Sequence, residues 1–144
     1  MKKSCNDMSK NELEMWHFAG DENTSNYLLD LVLAGRKRAS SSSLEAYRIQ
    51  DEDIPKVGEL SIVTDWNGRP HCVVKTTNIQ IIPYRDITFE IAQLEGEDDS
   101  LDSWREKHAA FFMREGKELG YEFSEDMDVV FEEFELVEII KGNK

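Results

Sequence analysis

The residues of this 144-residue chain best suited to chemistry gather in one short stretch, Gly35-Arg36-Lys37-Arg38-Ala39-Ser40-Ser41-Ser42-Ser43. Lys37 and Ser40 lie three residues apart, close enough on a turn to converge. A serine hydroxyl is a weak nucleophile until a neighbouring base takes its proton, and a lysine does so only when neutral. Arg36 and Arg38 favour the neutral form, because like charge nearby lowers a lysine pKa. A carboxylate would then orient the lysine or pass a proton to a leaving amine. The same residues also describe an ordinary solvated basic turn, and spacing by itself does not separate the two.

Other chemistries find less support. His17, His71 and His108 are scattered, with no H-E-x-x-H or paired-cysteine spacing, so no metal is expected. The acidic run Glu95-Gly96-Glu97-Asp98-Asp99 lacks the alternating ligands of an EF-hand. The glycines match neither a phosphate-binding loop nor a dinucleotide fingerprint, which argues against an ATPase or a dehydrogenase and leaves no cofactor implied. Cys5 and Cys72 are far apart and read as free thiols.

Charge narrows the partners. The formal net charge is −13, which disfavours long duplex DNA or RNA. Residues 1–60 carry 8 Lys/Arg against 11 Asp/Glu, and residues 61–144 carry 9 against 19. The basic triplet Arg36-Lys37-Arg38 therefore stands out on an acidic protein and suits a small ligand or a few phosphates. No apolar run approaches the roughly 18–20 residues that span a bilayer, and no apolar stretch follows the basic start. A cytoplasmic protein without membrane contact is the expectation; no oligomeric state is specified.

The elements that must position these residues follow from periodicity. Ser9 and Glu12 have capping-box spacing ahead of Leu13, Trp16 and His17, which predicts a short helix ending near Gly20. A second helix from about Asn23–Ser25 carries Tyr27, Leu28, Leu31 and Val32 and stops at Gly35. The middle reads as β: Leu60–Val63, a hairpin signal at Asn67-Gly68, and a return strand from His71 to Ile82 before Pro83. Ile87–Leu94 suggests a short helix, and Glu97, Asp98 and Asp99 are expected to face solvent. Ser100 caps a helix with Leu101, Trp104, His108 and Phe111 on one face, ending by Gly120. A last strand, Val129–Ile140, changes parity, which predicts a bulge at Glu132-Glu133. The class is α+β: mostly antiparallel strands, curled or closed into a barrel, with flanking helices.

Taken together these segments resemble the ASCH superfamily, small PUA-like β-barrels. Gly35-Arg36-Lys37-Arg38-Ala39-Ser40 is similar to its G-x-K-x-x-[TS] signature. Phe18–Asp21, the Leu28–Ala34 helix, Ala92–Glu97, Trp104–His108 with Phe111-Phe112, and Val130–Phe134 resemble a bacterial subfamily in the same order. The resemblance implies one domain over residues 15–140, with residues 1–14 as an N-terminal extension. One branch of the family hydrolyses N4-acetylcytidine with a lysine, a threonine and a glutamate; position by position these become Lys37, Ser40 and Glu95. Ser40 keeps the hydroxyl but lacks the rotamer stiffness of threonine. Another branch is a ribonuclease, so the resemblance implies a small nucleoside-like ligand or short single-stranded RNA without naming the reaction. An amidohydrolase, a metal-independent RNA-binding or RNA-cleaving module, and a non-catalytic sensor of a modified base all stay open. The accompanying ligand-binding candidates are Arg36, Arg38 and Arg105 for phosphates, Tyr47 at the mouth, Trp104 for stacking and His108. For Trp104 and His108 the simpler reading is core packing on an amphipathic helix.

Overall fold

The computed structural model describes residues 13–141 in full and residues 2–9 as backbone. The chain is α+β. Six strands, β1 (Lys2–Ser9), β2 (Leu13–Phe18), β3 (Ala39–Ser43), β4 (Leu60–Thr64), β5 (Pro70–Pro83) and β6 (Asp128–Ile139), form one sheet in the order β1-β2-β4-β5-β6-β3. Only the β2–β4 pair is parallel. The helices are α1 (Glu22–Leu33), α2 (Leu44–Ile49), α3 (Phe89–Ala92) and α4 (Leu101–Leu119), with short 3-10 turns at Tyr84–Asp86 and Gln93–Glu95. The ladder is mostly antiparallel, as expected, and runs open from β1 to β3, so its pairing does not close the barrel among the described residues.

Several expectations are corrected here. The helix predicted through Leu13, Trp16 and His17 is strand β2; Ser9 belongs to β1, and Glu12 lies outside the described residues. Met15, Trp16 and Phe18 are all buried because β2 sits inside the sheet, between β1 and β4. Burial on both faces removes the period-2 signature that marks a strand. Lys2–Ser9 pairs with β2 as an edge strand. The predicted Ile87–Leu94 helix is a single turn, α3, followed by the 3-10 turn that ends on Glu95. The irregularity predicted at Glu132-Glu133 falls on the partner strand instead. Thr76 pairs with Phe134 and Asn78 with Glu133, leaving Thr77 as the extra residue on β5. Val129 to Glu132 are buried on both faces, so their change of parity needed no bulge in β6.

Elements predicted correctly have local causes. Asp21 caps α1 by accepting from the Thr24 amide, and Gly35 follows its end with φ of 76°. Ser100 caps α4, and Gly120 ends it in the left-handed region with φ of 98°. Helix α2, absent from the sequence reading, begins where the Ser43 hydroxyl accepts from the Ala46 amide.

Among the described residues three apolar clusters form the core: a small one of Met15, Ile62 and Val73 within the sheet, and two that join helices to it. One joins Trp16, Phe18, Leu29, Val32, Val63, Cys72, Val74 and Phe134, tying α1 to the sheet. Cys72 is a buried free thiol whose pKa burial pushes up to about 12; the Cys5 side chain lies outside the described ones. The other joins Tyr84, Ile87, Ala92, Trp104, Phe112, Met127 and Val129, seating α4 on the end of β5 and the start of β6. Phe112 is fully buried and stacks on Phe123 at 6.1 Å. Phe112→Ala should therefore lower unfolding free energy by about 3–5 kcal/mol, read as a fall in the urea midpoint at constant slope.

Candidate functional site

The basic segment is held by backbone bonds on three sides. The Arg36 and Lys37 amides both donate to the Leu31 carbonyl at the end of α1, at 2.9 and 3.1 Å. The Arg38 amide donates to Leu94, and the Arg38 carbonyl accepts from Phe134 in β6. This fixed, extended path alternates its side chains: Arg36 and Arg38 are exposed, while Lys37 turns inward and is 2% exposed.

Facing it is the turn Gln93–Glu95, which presents a buried carboxylate. Lys37 Nζ donates to Glu95 Oε1 at 3.2 Å and to Glu97 Oε2 at 2.5 Å. Glu95 Oε2 accepts from Ser41 Oγ at 2.5 Å and from Trp104 Nε1 at 3.0 Å. His108 Nε2 approaches Glu95 Oε1 at 3.5 Å, while its Nδ1 donates to the Trp104 carbonyl. The Trp104 and His108 rings stack at 4.0 Å. The Phe18 ring lies 5.3 Å from Lys37 Nζ, within cation–π range.

Charge states follow from this packing. Burial alone would pull the Lys37 pKa down, but the Glu95 and Glu97 carboxylates outweigh it, and the net shift is upward. Burial would raise Glu95; Lys37, then His108 and the hydroxyl of Ser41 hold its carboxyl well below the usual range. Lys37 is therefore an ammonium and Glu95 a carboxylate at neutral pH. The two arginines beside Lys37 in sequence point to solvent and do not neutralise it, so the expected lysine base is not what this arrangement provides.

The remaining candidates are placed as follows. Ser40 is buried on β3 opposite Glu132, on the face away from Ser41. Glu132 on that side accepts from Thr76 Oγ1 at 2.7 Å. Tyr47 lies on α2 and lines a cavity of about 420 Å³ with Trp16, Ser42, Glu14 and Glu115; burial raises its pKa. Trp104 is fully buried and His108 nearly so, and both are engaged around Glu95. Arg105 donates to the Arg85 carbonyl at 3.1 Å. The expected solvent exposure of Glu97 and Asp98 is corrected: Glu97 binds Lys37, and Asp98 accepts from Ser103 and pairs with Lys107. Asp99 is exposed. Among the described residues, no three His, Cys, Asp or Glu side chains are grouped to hold a metal ion, and no helix is long and apolar enough to cross a membrane.

Glu97 was expected only as the alternative carboxylate to Glu95, and Ser41 was not singled out, yet a signal for Ser41 existed. An extended chain places residues 37, 39, 41 and 43 on one side, so an inward Lys37 meets Ser41 and not Ser40. Consistently, Ala39, Ser41 and Ser43 are buried, and Ser43 Oγ donates to Glu115 further along the same side.

With this geometry in view, the comparisons with known proteins are decisive on kinship. A family model described as ASCH domain matches residues 14–138. The chain belongs to the ASCH domain family. A crystal structure of an ASCH domain from Lactobacillus crispatus is 42% identical, covering 86% of this chain and 79% of that one, with a TM-score of 0.81. A protein of Enterococcus faecalis V583 is 35% identical over 92% of this chain and 80% of that one, with a TM-score of 0.83. No match to a curated protein was found. The α+β, mostly antiparallel architecture with its flanking helices is that of these ASCH domain structures, a PUA-like fold.

The two halves of the site meet at Gly96. Its φ is 74°, and a Cβ there would lie 2.2 Å from the Arg36 carbonyl oxygen. Gly96→Ala should cost about 1–3 kcal/mol through strain and crowding and should loosen the contact between Lys37 and Glu95; chemical denaturation measures the first effect. The Glu95 charge also predicts a pH dependence. Its folded pKa lies below the unfolded value of about 4.3, so its stabilisation is complete above that pH and is lost as pH falls through the folded pKa. Acidification should therefore narrow the stability difference between the parent protein and Glu95→Gln, as read from denaturation curves recorded from neutral pH downward.

Proposed function

We propose that this ASCH domain is nucleoside-directed and removes the acyl group from an N4-acylated, cytidine-type substrate. The observation that carries the reading is the buried Glu95 carboxylate, which accepts from the Ser41 hydroxyl at 2.5 Å and from the Lys37 ammonium at 3.2 Å. Strongly shifted, mutually paired buried titratable groups are candidates for a functional site, and Glu97, bound to the same Lys37, borders a surface cavity. The acidic surface favours a small, weakly charged substrate over an RNA strand.

In this reading the roles differ from the lysine-base scheme. A serine oxygen attacks the acyl carbonyl carbon, and its proton passes to Glu95. Lys37 stabilises the alkoxide and gives a proton to the departing exocyclic amine, then regains one from Glu95. Water attacks the resulting acyl ester, releasing the carboxylic acid and the free serine. The family signature assigns the nucleophile to Ser40, whereas the hydrogen bond to Glu95 favours Ser41.

The test is release of acetate and cytidine from N4-acetylcytidine, followed by chromatography. Lys37→Met and Glu95→Gln should each lower turnover by about 10²–10⁴-fold. Of Ser40→Ala and Ser41→Ala, Ser41→Ala should abolish acyl transfer. Unchanged turnover in both serine variants would sink the mechanism, and binding of N4-acetylcytidine without product would leave a sensor of the modified base.

A second reading draws on the exposed pair Arg36 and Arg38, which flank the site and are free to meet phosphates. It requires binding of short single-stranded RNA that weakens steeply with salt. Retained binding in Arg36→Ala/Arg38→Ala would remove it.

A further inference from the structure

Glu95 and Glu97 both bind Lys37, but their situations differ. Glu95 is enclosed, with Lys37, Ser41, Trp104 and His108 around its two oxygens. Among the described residues, Glu97 is held by one hydrogen bond, to Lys37, and its side chain is 15% exposed. Glu97 also borders a cavity of about 430 Å³, whose other walls are Asn23, Thr24, Tyr27, Leu28 and Lys107. It is thus the one member of the buried network that faces this opening.

The charge count points the same way. Lys37 and Glu95 balance each other, and Glu97 adds a second carboxylate to that ammonium, while Lys107 on the cavity wall, which also attracts Glu97, is itself paired with Asp98. Burying an excess charge is unfavourable, so the site gains if a neutral acceptor takes the place of Glu97. The cavity supplies what a flat neutral ligand needs. Tyr27, at 55% exposure, is an available aromatic face, and Leu28 adds apolar wall. Asn23 and Thr24 bring polar groups that select orientation.

We infer that Glu97 is a displaceable plug on Lys37: a pyrimidine nucleoside enters the Tyr27 cavity, and a carbonyl oxygen of that ligand replaces the Glu97 carboxylate on the Lys37 ammonium. This rests on the nucleoside-directed reading above and adds where the ligand enters and what it must displace. Displacement needs only a rotation of the Glu97 side chain, because its neighbours are held, Gly96 against the Arg36 backbone and Asp98 by Ser103 and Lys107, while Glu95 stays fixed by its enclosure.

The test is equilibrium binding of N4-acetylcytidine, cytidine and cytidine 5′-monophosphate, by calorimetry, to the parent chain, Glu97→Gln and Tyr27→Ala. Each variant is first checked for the parent's circular dichroism spectrum. Glu97→Gln weakens the plug without emptying its volume, so both neutral nucleosides should bind about tenfold more tightly. Tyr27→Ala should weaken binding by roughly fivefold or more through lost stacking. The monophosphate should show no preference over cytidine, because a phosphate would restore the excess charge. Unchanged or weaker binding in Glu97→Gln, indifference to Tyr27→Ala, or no binding of any probe to any form overturns the inference. The two readings fail separately. Tighter binding in Glu97→Gln without acetate release removes the hydrolase alone, whereas acetate release with affinity indifferent to Glu97 removes the plug alone.

Discussion

An ammonium removed from water is among the costliest things a small domain can contain, and Lys37 is nearly inaccessible. What makes it tolerable is a carboxylate that is itself fully satisfied. Glu95 accepts from Lys37 after α1, Ser41 from β3 and Trp104 from α4, with the His108 ring of α4 alongside at 3.5 Å. Lys37 and Ser41 lie more than fifty positions from Glu95 in sequence, and Trp104 lies nine away on the next helix. The ion pair therefore fastens the end of α1, the outer strand β3 and the long helix to one point. Withdrawing either partner leaves a buried charge without its complement, which in such settings costs about 3–5 kcal/mol.

The surroundings are shaped to that requirement. The turn that delivers Glu95 lies so close to the Arg36 backbone that only glycine fits at position 96. The Trp104 ring is core by every measure of burial, packed near Tyr84 and His108, yet its indole N–H is spent on Glu95. Core and polar site are one structure here. The apolar cluster around Trp104 and Phe112 excludes water from the carboxylate, and the carboxylate fixes the orientation of the indole.

How much of this could be read from the chain depends on whether a residue's environment is local. Gly35, Ser100 and Gly120 announce helix ends because caps act locally on neighbouring backbone groups, and α1 and α4 were legible for that reason, although the Asp21 cap that starts α1 lies just ahead of the expected start at Asn23–Ser25. The Asn67-Gly68 hairpin was legible for the same reason, its geometry being set by the turn itself. Strand β2 was not, since its contiguous apolar run is caused by neighbours on both sides that no short window contains. In the site, Lys37 and Glu95 entered through family resemblance, whereas their distance depends on a fold that brings together residues 58 positions apart. Glu97 was misread as solvated because acidic runs usually are, and only the inward lysine made this one different.

The serine run shows how a small error in phase changes chemistry. Four consecutive serines offer a hydroxyl on either face of β3, so composition cannot choose among them. The choice is made upstream, where backbone bonds from Leu31, Leu94 and Phe134 force residues 36–38 into an extended path with Lys37 inward. From that point parity decides, and Ser41 meets Glu95 while Ser40 and Ser42 face the opposite side, where Ser42 lines a cavity with Tyr47. One strand thus carries hydroxyls into two chemically distinct compartments. On one side Ser41 meets the Lys37–Glu95 pair; on the other Ser40 lies opposite the buried Glu132, so the two faces of β3 put different carboxylates beside different hydroxyls.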